Sequence, residues 1–208
     1  MKRLIVAILV LWATTSYAGK EAITDTGEKV ILNNDGTWVY ANSAEKPARG
    51  IGTNKTKFSK PGTAAFLLKS TKNDTAFWID TAKWSFVKNQ ENTDAEYKFQ
   101  LKGKDLYAMA ITEGIEIPIE SLADIAFETA RNSAPDAKVV AQEYRTVNDR
   151  KLIYMEINGT IKGIKFTYLG YYFSDASGST QLVTYTASNA TAKYRSDITD
   201  FLNGLVTQ

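Results

Sequence analysis

From Val139 to Ala187 the chain runs VVAQEYRTVNDRKLIYMEINGTIKGIKFTYLGYYFSDASGSTQLVTYTA, and no other stretch limits the fold as tightly. It has no helical periodicity and is rich in Tyr, Thr, Ile, Val and Phe, the residues that suit a pleated, half-buried surface. Two breaks interrupt it. Asn148-Asp149 can bond their own backbone, and Gly178, within Ser174 to Ser179, is free to take positive φ, so the segment reads strand, turn, strand, turn, strand. A chain with such a spine builds a sheet and must then cover it.

The start of the chain has a different character. Lys2 and Arg3 precede nine apolar residues, Leu4 to Trp12, followed by Ser16-Tyr17-Ala18, a small-x-small cleavage pattern. A membrane span needs about 20 apolar residues, so residues 1–18 are expected to be a cleavable export signal. The mature protein is then periplasmic or extracellular, without a transmembrane anchor. Cysteine is absent, which excludes a lipid-attachment thiol and any disulfide; stability must come from packing. Lys2 and Arg3 also account for the excess of 25 basic over 23 acidic side chains. The remainder is charge-balanced, which argues against nucleic acid as a partner, since that affinity rests on neutralised phosphates.

Residues 19–40 read as a small N-terminal β-hairpin or ribbon of two or three strands, punctuated by Gly27 and Asn34-Asp35-Gly36. Residues 41–62, with Pro47, Pro61 and many small polar residues, read as a linker. Residues 63–208 form the main domain. Ala64 to Lys69 and Phe77 to Asp80 are predicted strands, and Asp80 to Trp84 a tight corner. Ala95 to Lys102 and Leu106 to Thr112 form a hairpin in which Tyr97, Phe99 and Leu101 alternate with charged and amide residues. A helix follows Pro118 with Leu122, Ile125, Ala126, Thr129 and Ala130 at helical spacing, and stops before Pro135. A second starts near Ser188 to Thr191 and carries Tyr194, Ile198, Phe201, Leu202 and Leu205 on one stripe. Both stripes need a sheet, so the fold class is α+β: helices packed on an antiparallel sheet. Trp84 and Phe201 are expected to anchor the core.

Several of these segments resemble a known family. Phe77-Trp78-Ile79-Asp80 with Lys83-Trp84, the helix after Pro118, the meander with Gly170-Tyr171-Tyr172 and Ser177-Gly178, and the closing Asp200 to Leu205 are similar to the PsbP-like α/β/α sandwich, in particular its bacterial periplasmic DcrB-like branch. The resemblance spans about Thr63 to Gln208 and rests on element order. It implies a protein that binds other macromolecules, and it transfers no functional residues.

The chemistry is bounded mainly by what is missing. Without His or Cys, Ser-His-Asp triads, thiol catalysis, the usual zinc sites and iron–sulfur clusters are excluded. No phosphate-cradling glycine motif occurs, and no cofactor is expected. Glu113, Glu116 and Glu120 approach the first helix and are a candidate site for a cation or a basic partner, although acidic residues favour helix starts in any case. The aromatic row Phe166, Tyr168, Tyr171, Tyr172, Phe173 and Tyr185 is either core or a binding surface. Tyr168, Tyr171, Tyr172 and Tyr185 are its candidate contacts, with Tyr171 facing opposite to Tyr168 and Tyr172. Three readings follow: a non-enzymatic binding or scaffold module for another envelope protein; a carrier of a small apolar ligand held between sheet and helices; or a carboxylate- or metal-dependent hydrolase.

Overall fold

The computed structural model describes residues 20–23, 29–32, 38–40, 50–89 and 95–208; the expected export signal lies outside them. The chain divides into two units, Met1–Gly50 and Ile51–Gln208. In the first, β1 (Lys20–Ile23), β2 (Lys29–Leu32) and β3 (Trp38–Tyr40) pair antiparallel in that order. The ribbon thus has three strands rather than the two of a hairpin.

The second unit opens with β4 (Gly52–Phe58), β5 (Phe66–Lys69), β6 (Thr75–Ile79), β7 (Trp84–Lys88), β8 (Tyr97–Leu101) and β9 (Tyr107–Glu113). After α1 (Ile119–Ser133) come β10 (Lys138–Val147), β11 (Arg150–Ile161), β12 (Ile164–Asp175) and β13 (Gly178–Ala187), then α2 (Thr191–Leu202) and β14 (Leu205–Thr207). Eight strands form one sheet in the order β4-β10-β11-β12-β13-β9-β8-β7, and β14-β6-β5 form a smaller one. In the large sheet only β4 with β10 is a parallel pair; the other pairs are antiparallel.

Two sequence expectations change, and one strand is added. Residues 52–58, read as linker, are an edge strand: their polar composition suits an edge with one solvated side, and composition alone does not separate the two cases. The spine has four strands rather than three. Lys162 (φ 50°) and Gly163 (φ 80°) make a second two-residue turn between paired Ile161 and Ile164, as Asn148 (φ 47°) and Asp149 (φ 63°) do between Val147 and Arg150. Positive φ at both central residues matches the twist of the flanking strands, and Lys at such a position gives little sequence signal. After the corner at Asp80, β7 continues the chain as the sheet's other edge.

The large sheet carries a layer on each face, complete on one and partial on the other. On one, α2 and the small sheet cover it: Phe77, Trp84, Phe99, Tyr171, Ile198 and Phe201 share a buried cluster. Trp84 and Phe201 are core anchors as expected, their ring centres 4.3 Å apart, and Phe201 meets Phe99 edge-on at 5.0 Å. Asn148 fastens this layer. Its amide donates to the carbonyls of Asn203 and Leu205, at 2.8 and 2.7 Å. On the other face α1 packs chiefly against β11 and β12, burying Leu122, Ala123 and Ala130 on Ile153, Met155, Ile157 and Phe166. Its stripe is rotated slightly from the expected one: Ala123 is buried and Ile125 half exposed, because the helix lies at one side of the sheet and not over its middle.

Candidate functional site

Because α1 covers β10 to β12, the same face of β13, β9 and β8 is left beside it as the floor of a groove of about 580 Å³. Alternation along each strand fixes which residues form that floor. Met109 and Ile111 rise from β9, Gln181 and Val183 from β13, and Tyr168 and Tyr172 from β12; Leu122, Ile125 and Ala126 form the helical wall. The volume lies in the range of small-molecule sites, about 300–1,000 Å³, and the lining is mostly apolar with few polar groups.

The sheet register orders the floor further. Gly170 pairs with Val183, Val183 with Met109, and Met109 with Lys98, so these four residues form one row across β12, β13, β9 and β8. Gly170 makes room for its neighbour. A Cβ there would lie 3.0 Å from the Tyr172 hydroxyl oxygen and 3.1 Å from Val183 Cγ2, so its absence lets the Tyr172 ring fold back over the strand. Tyr172 is 2% exposed, and burial pushes its hydroxyl far above the usual phenol range. It donates no hydrogen bond to any described residue.

A second row runs parallel. Tyr107, Tyr185 and Tyr168 are successive cross-strand partners, with ring centres 5.6 and 5.9 Å apart, and Phe166 lies 4.4 Å from Tyr168. This ladder leads to a shallower cavity of about 230 Å³ bordered by Ser85, Val87, Gln100, Tyr107 and Tyr185. Lys98 borders both cavities, so the open face is continuous from α1 to the β7 edge.

The candidate tyrosines therefore divide. Tyr168 and Tyr185 are half-buried on the open face and Tyr172 lies beneath them. Tyr171 points the opposite way, as its parity requires, into the closed core; its hydroxyl donates to Asn203 Oδ1 at 2.8 Å and accepts from Arg145. Tyr171 is enclosed in the core, whereas Tyr172, almost wholly buried, still borders the groove. The three glutamates do not converge. Glu113 borders the groove, Glu116 is solvent-exposed, and Glu120 accepts from the Tyr144 hydroxyl, which holds its carboxyl below the usual range. Among the described residues no group of three acidic side chains is placed to hold a metal ion.

Sequence reasoning missed one organised carboxylate. Glu96, 5% exposed, accepts hydrogen bonds from Ser70 Oγ, Thr71 N, Thr71 Oγ1 and Thr112 Oγ1. Burial pushes its pKa up, but these four donors outweigh that and leave it below the ordinary value. A saturated carboxylate has no lone pair left for catalysis; this one ties the turn after β5 to the large sheet.

No protein-family profile matches the sequence, and no curated protein does. Solved structures do. Cyanobacterial PsbP from Synechocystis superposes with a TM-score of 0.55 at 13% identity, over 72% of this chain and 98% of that one. The fold is PsbP-like. A Pseudomonas aeruginosa protein of unknown function, PA94, matches at a TM-score of 0.44 and 9% identity, over 69% of this chain and 99% of its own. At such identities the likeness concerns the fold alone. What distinguishes this PsbP-like domain must be read from its own groove. Among the described residues no helix is long and apolar enough to cross a membrane.

Proposed function

We propose that this protein is a non-catalytic binding protein that holds an apolar ligand in the groove between α1 and the β13-β9-β8 side of the sheet. The observation that carries the reading is a cavity of about 580 Å³ whose floor and wall are Met109, Ile111, Val183, Leu122 and Ile125. Export belongs to the same reading and is supported by the basic, apolar and small-residue succession over residues 1–18; a place in the DcrB-like branch rests on the element order over residues 63–208. A second reading, docking of an envelope protein, is favoured by the Tyr107-Tyr185-Tyr168 ladder: rigid rings on an open sheet face are the usual anchors of interfaces.

The two readings separate at Ile125, which is 50% exposed on the helical wall. Ile125→Glu is expected to change stability by no more than about 0.5 kcal/mol and to abolish fluorescence enhancement of an apolar dye by the purified protein. A folded variant that still enhances the dye as the native chain does would move apolar binding out of the groove.

A further inference from the structure

Resting on the groove as the binding site, we propose that its ligand is an anionic amphiphile carrying a second, neutral oxygen at the far end of its chain, of the hydroxy-acid kind, and not a plain hydrocarbon. The row Gly170-Val183-Met109-Lys98 sets this pattern. At one end the Tyr172 hydroxyl lies over Gly170, lines the groove, and has no partner among the described residues. Tyr172 is 2% exposed, so its hydroxyl keeps little contact with water and gains from a fixed acceptor. Its surroundings disfavour the phenolate, so it offers a proton and meets an acceptor.

At the other end of the row Lys98 is exposed and forms none of the described ion pairs. Its ammonium suits a carboxylate at the rim. Between the two ends lie Val183 and Met109, whose surfaces reward an apolar body. Three inter-strand steps separate Gly170 from Lys98, about 14 Å, the span of a medium-length acyl chain lying across the strands. The groove's acidic residue does not oppose this: Glu113 is four residues beyond Met109 on β9, about 13 Å along the strand.

Calorimetric titration of the purified chain with dodecanoate, ω-hydroxydodecanoate and dodecanol tests the inference. The hydroxy acid is expected to bind about tenfold more tightly than dodecanoate, the worth of one neutral hydrogen bond. Tyr172→Phe should erase that advantage without weakening dodecanoate, and Lys98→Gln should weaken both acids alike while leaving dodecanol unchanged. Equal affinity for the two acids in the native chain would overturn the hydroxy-acid inference while the groove still binds. Failure of all three probes to bind would overturn the groove itself.

Discussion

The two faces of the large sheet are built from the same strands and end differently. On the α2 face, α2, β6 and β14 lay Phe77, Ile198, Phe201 and Leu205 over Phe99, Leu169 and Tyr171, and Asn148, Asn203 and Glu96 bond across it, while Thr191 Oγ1 and Thr207 Oγ1 are buried there without a partner among the described residues. On the α1 face one helix of 15 residues sits beside the centre, leaving Met109, Ile111 and Tyr168 partly open and Tyr172 unbonded. The closed face supplies the stability that lets the other remain incomplete. An open apolar trough beside a finished core can serve as a site, whereas the same trough in a marginal core would be a defect.

The contrast is testable by substitutions on each face. Phe201→Ala removes a ring packed against Trp84 and edge-on to Phe99, and urea unfolding should register a loss of about 3–5 kcal/mol. A loss under about 1 kcal/mol would mean that α2 does not close this face. Glu96→Gln should cost about 2–3 kcal/mol, because Ser70, Thr71 and Thr112 lose a charged acceptor. It also carries a pH signature. Since the folded-state pKa of Glu96 is depressed, its contribution is present above the unfolded value, near 4.3, and is lost as pH falls through the folded value. The native chain should therefore lose stability in that acid window more steeply than the Gln variant, and parallel curves would remove Glu96 from the account. The smallest effect is expected on the open face, at Ile125→Glu; a cost there matching Phe201→Ala would make the two faces equivalent and end the comparison.

Much of the closed face was legible in the chain. Of the stripe Tyr194, Ile198, Phe201, Leu202 and Leu205 all are buried, although Leu205 begins β14 and is not part of the helix, and the alternation of Tyr97, Phe99 and Leu101 points them to one side as read. Tyr171 does oppose Tyr168 and Tyr172, since strand parity is a local property. What could not be read was lateral. Whether α1 lies over the middle of the sheet or beside it depends on strand order, and the order that places β9 next to β13 joins residues far apart in sequence. Glu96 escaped notice for the same reason: its donors come from residues 70, 71 and 112, and no local motif marks them. Strand β4 was hidden by composition, since Gly52 to Phe58 is as polar as a linker.

Met109 and Met155 occupy the same face of the sheet, one on the groove floor and the other 1% exposed beneath α1. Their side-chain methyl resonances, labelled with ¹³C and followed during titration with ω-hydroxydodecanoate, examine the central claim at the site itself. The expected result is a saturable shift of the Met109 methyl with Met155 nearly still. A folded protein whose Met109 signal stays in place while the amphiphile binds would contradict the groove as the functional site.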